Sequence, residues 1–137
     1  MSAALLNALY TKILTSTGAG GFANTFTSRV YLNSAPADTA LPLCVYTGSQ
    51  MVRERTMGGT SRHSLRITFS MYNTNDGSSI LVTAQTRLKT LLDGVVLTTV
   101  SGYDRATVIL REQGVPQFED DSWSIEDEYE LVGQITS

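Results

Sequence analysis

Apolar residues recur every three or four positions near the start of the chain, at Leu5, Leu6, Leu9, Tyr10, Ile13 and Leu14. That period predicts an amphipathic helix over 3–16, with Ser2 as its N-cap and Gly18, Gly20 and Gly21 ending it. Phe22 and Phe26 lie in the loop that follows and read as anchors on the core. The pattern then shortens. Arg29-Val30-Tyr31-Leu32 is a short strand, and residues 33–40, with Pro36, are a turn-rich connection. Pro42 to Thr47 is a second strand, with Pro42 at its first position, where no ladder donor is needed. Polar residues 51–62 contain Gly58-Gly59 and form the tip of a long hairpin around residues 45–72. From Ser64 to Tyr72 the alternation is strict, with Leu65, Ile67, Phe69 and Met71 on one side.

Helical spacing returns at Ile80, Leu81, Ala84, Leu88, Leu91 and Leu92. The predicted helix is capped by Asn75 or Asp76, runs to about Asp93 and exits at Gly94. Residues 95–99 are a short strand and Ala106 to Glu112 a firmer one. The last strand, Trp123 to Ile135, is long. Its core face is Trp123, Ile125, Tyr129, Leu131 and Ile135; its other face carries Glu126, Glu128 and Glu130. Asp127 interrupts the apolar face, which predicts a local bulge or an arginine partner. Helices separated by groups of strands make the fold class α+β: a mostly antiparallel sheet with two helices on one face. At 137 residues, without repeat or linker, residues 1–137 are expected to be one domain.

Charge changes this picture more than composition does. The chain has ten lysines and arginines, 13 acidic residues and one histidine, for a net charge of −3. All ten cations lie at or before Arg111, and eight of the carboxylates lie after it. The final segment, 112–137, therefore carries about −8 on a stretch that also bears Trp123, Ile125, Tyr129 and Leu131. That charge belongs to folded structure rather than to a solvated tail. Glu126, Glu128 and Glu130, two residues apart, form a row on one strand face, and such a row repels itself unless something answers it. Arg53, Arg55, Arg62 and Arg66 all fall on the predicted hairpin, and arginine suits carboxylates through paired hydrogen bonds. A net acidic chain argues against a nucleic-acid partner for these arginines. It favours protein pairing, within a subunit or head to tail between identical ones.

Candidate catalytic chemistry is sparse. His63 stands without an obvious nucleophile and orienting carboxylate. Cys44 lies between Leu43 and Val45, as a buried inert thiol would, and one cysteine excludes an internal disulfide. Cysteine–histidine zinc sites are excluded by count. Gly18-Ala19-Gly20-Gly21 follows a helix instead of opening one, so it is not a phosphate loop. Glu119-Asp120-Asp121 fits no calcium-loop spacing and reads as a solvated acidic turn. No enzyme, metal or cofactor is expected. No apolar run is long enough to span a bilayer, and the N-terminus lacks signal-peptide character, so cytoplasmic synthesis is the default.

The segment Arg29-Val-Tyr-Leu-Asn-Ser-Ala-Pro36, followed by Leu41-Pro42-Leu-Cys-Val-Tyr46, resembles the tail-completion or tail-terminator proteins of long-tailed bacteriophages. Those proteins place a short helix before a pattern like R-[IV]-Y, then a proline turn, then P-x-x-V-[VY]. The long strand ending in Tyr72, the helix with Ala84, Arg87, Leu88 and Leu91, and the acidic last strand follow in the same order. Residues 18–21 and 51–62 have no counterpart in that pattern. The resemblance implies a homo-hexameric ring in the virion neck. Such a ring caps the head-proximal end of the tail tube, ends tube growth and offers a surface to the head–tail connector or stopper. Double-stranded DNA would pass through its lumen without sequence-specific binding. The expected partners are thus the tail tube protein and the connector, met in the host cytoplasm during assembly. Arg53, Arg55, Arg62 and Arg66 are then candidate subunit contacts, and Glu126, Glu128 and Glu130 a lumen or interface face. Two other readings stand beside this one: a tube, stopper or other neck protein, and a small-molecule-binding or enzymatic α+β domain.

Overall fold

A computed structural model describes residues 3–16, 21–26, 29–36, 41–48, 52–55, 60–74, 77–97, 100 and 103–136. The elements, in chain order, are α1 (Ala3–Leu14), α2 (Phe22–Thr25), β1 (Val30–Leu32), β2 (Leu43–Gly48), β3 (Val52–Arg55), β4 (Thr60–Asn73), α3 (Ser79–Leu92), β5 (Val96–Leu97), β6 (Arg105–Gln113), β7 (Gln117–Glu119) and β8 (Ser122–Thr136). The class is α+β. One sheet runs β1-β2-β4-β8-β6-β5, with β3 added beside β4 and β7 beside β8. Among the described residues all pairings are antiparallel except β1 with β2.

The sheet is built on β4 and β8, which stay in register from Thr60↔Thr136 to Asn73↔Trp123. Because the strand period is two, this register sets Leu65, Ile67, Phe69 and Met71 beside Leu131, Tyr129, Asp127 and Ile125 on one face. The buried stripes of the helices, Leu5-Leu9-Ile13 on α1 and Leu81-Ala84-Leu88-Leu92 on α3, join the same core. Phe69 lies at its centre. Its ring stacks on Tyr46 at 5.4 Å and meets Phe22 and Tyr129 edge-on at 6.1 and 5.6 Å, geometries that aromatic quadrupoles favour. Phe22 and Phe26 anchor their segment as expected, but as the ends of a short helical turn rather than in a loop.

The resembling segment 29–46 is a clasp at the sheet edge. β1 and β2 pair in parallel from Val30↔Cys44 to Leu32↔Tyr46. Arg29 closes the clasp by donating Nε–H to the Pro42 carbonyl at 3.0 Å.

Several expectations need correction. The hairpin extends further than the alternation suggested, because 52–55 is a strand paired with residues 61–64. Residues 60–62, expected in the tip, belong to β4. A three-residue strand, β7, was not foreseen. The second helix is preceded by Ser78, without a side-chain cap bond; Asn75 and Asp76 lie outside the described residues, as do Ser2, residues 18–20 and Gly58-Gly59. Gly94, with φ +72°, ends α3 as predicted. Asp127 sits neither on a bulge of its own strand nor against an arginine. It keeps regular register opposite Phe69, and its partners come from elsewhere.

Candidate functional site

The face of the sheet away from the helices carries the charge. Across β4 and β8 it pairs Arg66 with Glu130, Thr68 with Glu128, Ser70 with Glu126 and Tyr72 with Ser124. The three glutamates of the predicted row differ in environment. Glu130 is buried and held by two cations, Arg111 and Arg62, the latter at 3.9 Å. Glu128 meets Arg66 at 3.3 Å. Glu126 accepts a bond from the Ser70 hydroxyl at 3.3 Å and has no cationic partner among the described residues. Arg62 and Arg66 are therefore engaged with β8 of their own chain. Arg53 and Arg55 lie on β3 opposite His63 and Ser61; their side chains fall outside the described residues.

Strand β6 adds to this face through an irregularity. Its register with β8 shifts between Leu110 and Glu112. Ala106, Val108 and Leu110 face the core in turn, so unbroken alternation would send Glu112 inward opposite Asp127. The extra residue, Arg111, moves Glu112 opposite Glu128 on the outer face. Arg111 itself reaches Glu130.

Beyond β6 the chain crosses tightly over β8. A Cβ on Gly114 would lie 2.3 Å from the Glu126 carbonyl oxygen, so only glycine allows this approach. Asp127 clamps the crossing. Its Oδ1 accepts the Gly114 N–H at 3.1 Å and the Gln85 amide at 2.7 Å, and Gln85 also donates to the Gly114 carbonyl at 2.9 Å. Burial raises the Asp127 carboxyl above its ordinary value, while the bonds from Gln85 and Gly114 pull the other way. Strand β7 then returns to β8 through Asp120 and Asp121, both at positive φ (51° and 61°). Two left-handed residues in a two-residue loop suit a tight hairpin, and aspartate tolerates that conformation. This is the structural role of the acidic turn.

The crossing and the sheet together enclose an open concavity of about 540 Å³, lined by Thr68, Glu112, Gly114, Val115, Gln117, Glu119, Ser124, Glu126 and Glu128. Four of those side chains are carboxylates. Val115 and Phe118, on the same arm, are 67% and 52% exposed.

The other candidates fall elsewhere. Cys44 is fully buried, and burial followed by the nearby Asp127 charge pushes its thiol well up, so it stays protonated. His63 Nδ1 lies 2.8 Å from the Tyr103 hydroxyl, and the two rings meet edge-on. No group of three potential metal ligands occurs among the described residues. None of their helices is long and apolar enough to cross a membrane.

No family model matches the chain, and no curated protein sequence matches it. Solved structures do. The fold is similar to that of a chain in the virion of a native gene transfer agent particle, with a TM-score of 0.75 and 14% identity over 94% of this chain and 93% of that one. A second solved chain, which carries only a serial designation, matches with a TM-score of 0.63 and 15% identity over 100% and 99%. At these identities the likeness is one of fold.

Proposed function

We propose that this chain is a structural subunit of a phage-type virion, acting as the tail terminator. The observation that carries the reading is the fold shared end to end with a chain of the gene transfer agent virion. The 29–46 resemblance supports it independently, from sequence. In this reading residues 1–137 form one domain, and six copies close into a ring at the head-proximal end of the tail tube. The ring ends tube growth and presents a surface to the connector, and the genome passes through its hole. The protein works by assembly and performs no enzymatic step. Its outer sheet face, with Glu126, Glu128 and Arg66, is the assembly surface, and Glu130 with Arg62 and Arg111 stiffens that face from within.

Particles made without this protein test the reading by electron microscopy. Overlong tails, or tails unattached to heads, are expected; normal joined particles would contradict it. The long β2–β3–β4 hairpin also suits a tube subunit, and sedimentation separates the two. The terminator stays a discrete ring or monomer, whereas a tube subunit grows into long polymers.

A further inference from the structure

We infer that residues 114–121 form a strap latched by the buried Asp127 carboxylate, and that charge on this carboxylate drives the strap open and uncovers an edge of β8. Such a device goes beyond the assembly role and is independent of it. The strap has few holds. Gly114, Val115 and Pro116 belong to no strand, and Pro116 has no N–H to donate. β7 contributes three residues, all exposed, paired with Ser122, Trp123 and Ser124. Phe118 meets Trp123 at 5.1 Å between ring centroids, yet stays 52% exposed. Little apolar surface is therefore buried beneath the strap. Segments held this way open at a free energy well below that of global unfolding. β4 and β8, by contrast, pair without a break from Thr60 to Asn73.

A single oxygen secures the strap to the core. Asp127 Oδ1 accepts from the Gly114 N–H at 3.1 Å and from the Gln85 amide at 2.7 Å, and Gln85 also donates to the Gly114 carbonyl at 2.9 Å. The Asp127 side chain is 1% exposed, and its Oδ2 accepts no hydrogen bond from the described residues. Nor does a cation compensate it there. Cys44, a neutral thiol, comes near it from β2, and β4 sets Phe69 opposite. Its own strand adds Ile125 and Tyr129. β6 sets the neutral Gln113 opposite, while Glu112 is shifted opposite Glu128 and Arg111 reaches Glu130. From α3 it meets the neutral Gln85, whereas Arg87 turns to Thr25. Asp93, just after α3, accepts the Leu110 N–H and acts on Tyr129.

A buried carboxylate without a cation is costly when ionised. The two bonds to Oδ1 reduce that cost without cancelling it, since burial outweighs them and the carboxyl stays above its ordinary value. Opening the strap lifts Gly114 off the carboxylate and lets water reach it. The ionised form therefore favours the open strap, and the protonated form the closed one. Closure is strongest at acid pH and weakens as pH rises through the raised closed-state value. Once the strap is open, Ser122, Trp123 and Ser124 lose their β7 partners. The bare edge of β8 is then the kind of backbone that accepts a further strand.

Native-state hydrogen exchange of the full-length protein, read by mass spectrometry across pH, tests the latch. Rates are corrected for the intrinsic pH dependence of exchange, and the 114–121 peptide is compared with one from 65–71 of β4. The strap is expected to exchange at least roughly tenfold faster than β4 and to be insensitive to low denaturant, as local opening is. Its protection should fall as pH rises in the wild type. Asp127→Asn keeps an acceptor oxygen and loses the charge, and should flatten that fall. Gln85→Leu removes a donor and leaves the charge, and should lower strap protection by roughly two- to tenfold. Circular dichroism verifies that both variants fold. A strap that exchanges only with global unfolding overturns the inference. So does an unchanged pH profile in Asp127→Asn, or unchanged strap protection in Gln85→Leu. Where a variant does not fold, the wild-type profile decides: fast local exchange that rises with pH supports the latch, and a flat profile overturns it. All of these readouts are made on the isolated subunit, so they stand apart from whether it enters a virion.

Discussion

Asp127 and its chain neighbours Glu126 and Glu128 are the same chemistry in opposite settings. Strand period sends Asp127 to the core face, 1% exposed among Phe69, Ile125 and Tyr129, and sends the two glutamates to the outer face. The buried carboxylate is answered within the chain, by a helix amide and a backbone N–H that lock the β6–β7 crossing. The outer ones line an open concavity, where Glu128 meets Arg66 and Glu126 has no cationic partner among the described residues. Position in the pleat, rather than residue type, separates a carboxylate that holds the fold together from one suited to a partner. The inner face should therefore govern stability and the outer face association.

The largest effect should come from Phe69→Ala. Removing the ring at the centre of the aromatic cluster is expected to cost about 3–5 kcal/mol in denaturant unfolding; a cost under 1 kcal/mol would show that the core is centred elsewhere. Asp127→Ala should come next, at about 1–3 kcal/mol, because the half-buried Gly114 N–H loses its acceptor and Gln85 keeps only one. Chemical denaturation reads both.

A third effect is pH dependence with a definite sign. Burial raises the Asp127 carboxyl in the folded state above its unfolded value of 3.8. Below pH 3.8 both states are protonated, and the group contributes nothing. As pH climbs from there through the raised folded value, ionisation is harder in the fold, so this group's contribution to stability falls and then levels off. Asp127→Asn should remove that slope when melting is followed across pH; a variant with an unchanged slope would assign it to another group. The smallest effect is expected for Glu128→Gln. Its pair with Arg66 is a surface one, worth at most about 1 kcal/mol, and a larger loss of monomer stability would erase the division between the two faces.

The sequence made the long elements legible because their periods hold over most of their length: from Ser64 to Tyr72 in β4, across α3, and along β8 apart from Asp127. Short elements gave no such signal: Phe22–Thr25 and Gln117–Glu119 are too brief to show a period. The site was legible only in part. The outer glutamates followed from alternation. Glu112, by contrast, reaches that face through a one-residue shift at Arg111, and the run Ala106-Val108-Leu110-Glu112 reads the same with or without it. The answer to Asp127 did leave a trace. Gln85 falls between Leu81 and Leu88 at helical spacing, a polar residue beside an apolar stripe, and its amide completes the interrupted strand face 42 residues away. Two anomalies in separate elements pointed at each other, but matching them needed the topology.

A cryo-electron microscopy reconstruction of the particle neck tests the central claim most directly. The account predicts one ring of six copies at the head-proximal end of the tube. Finding this chain repeated along the whole tube, or missing from the particle, would contradict it.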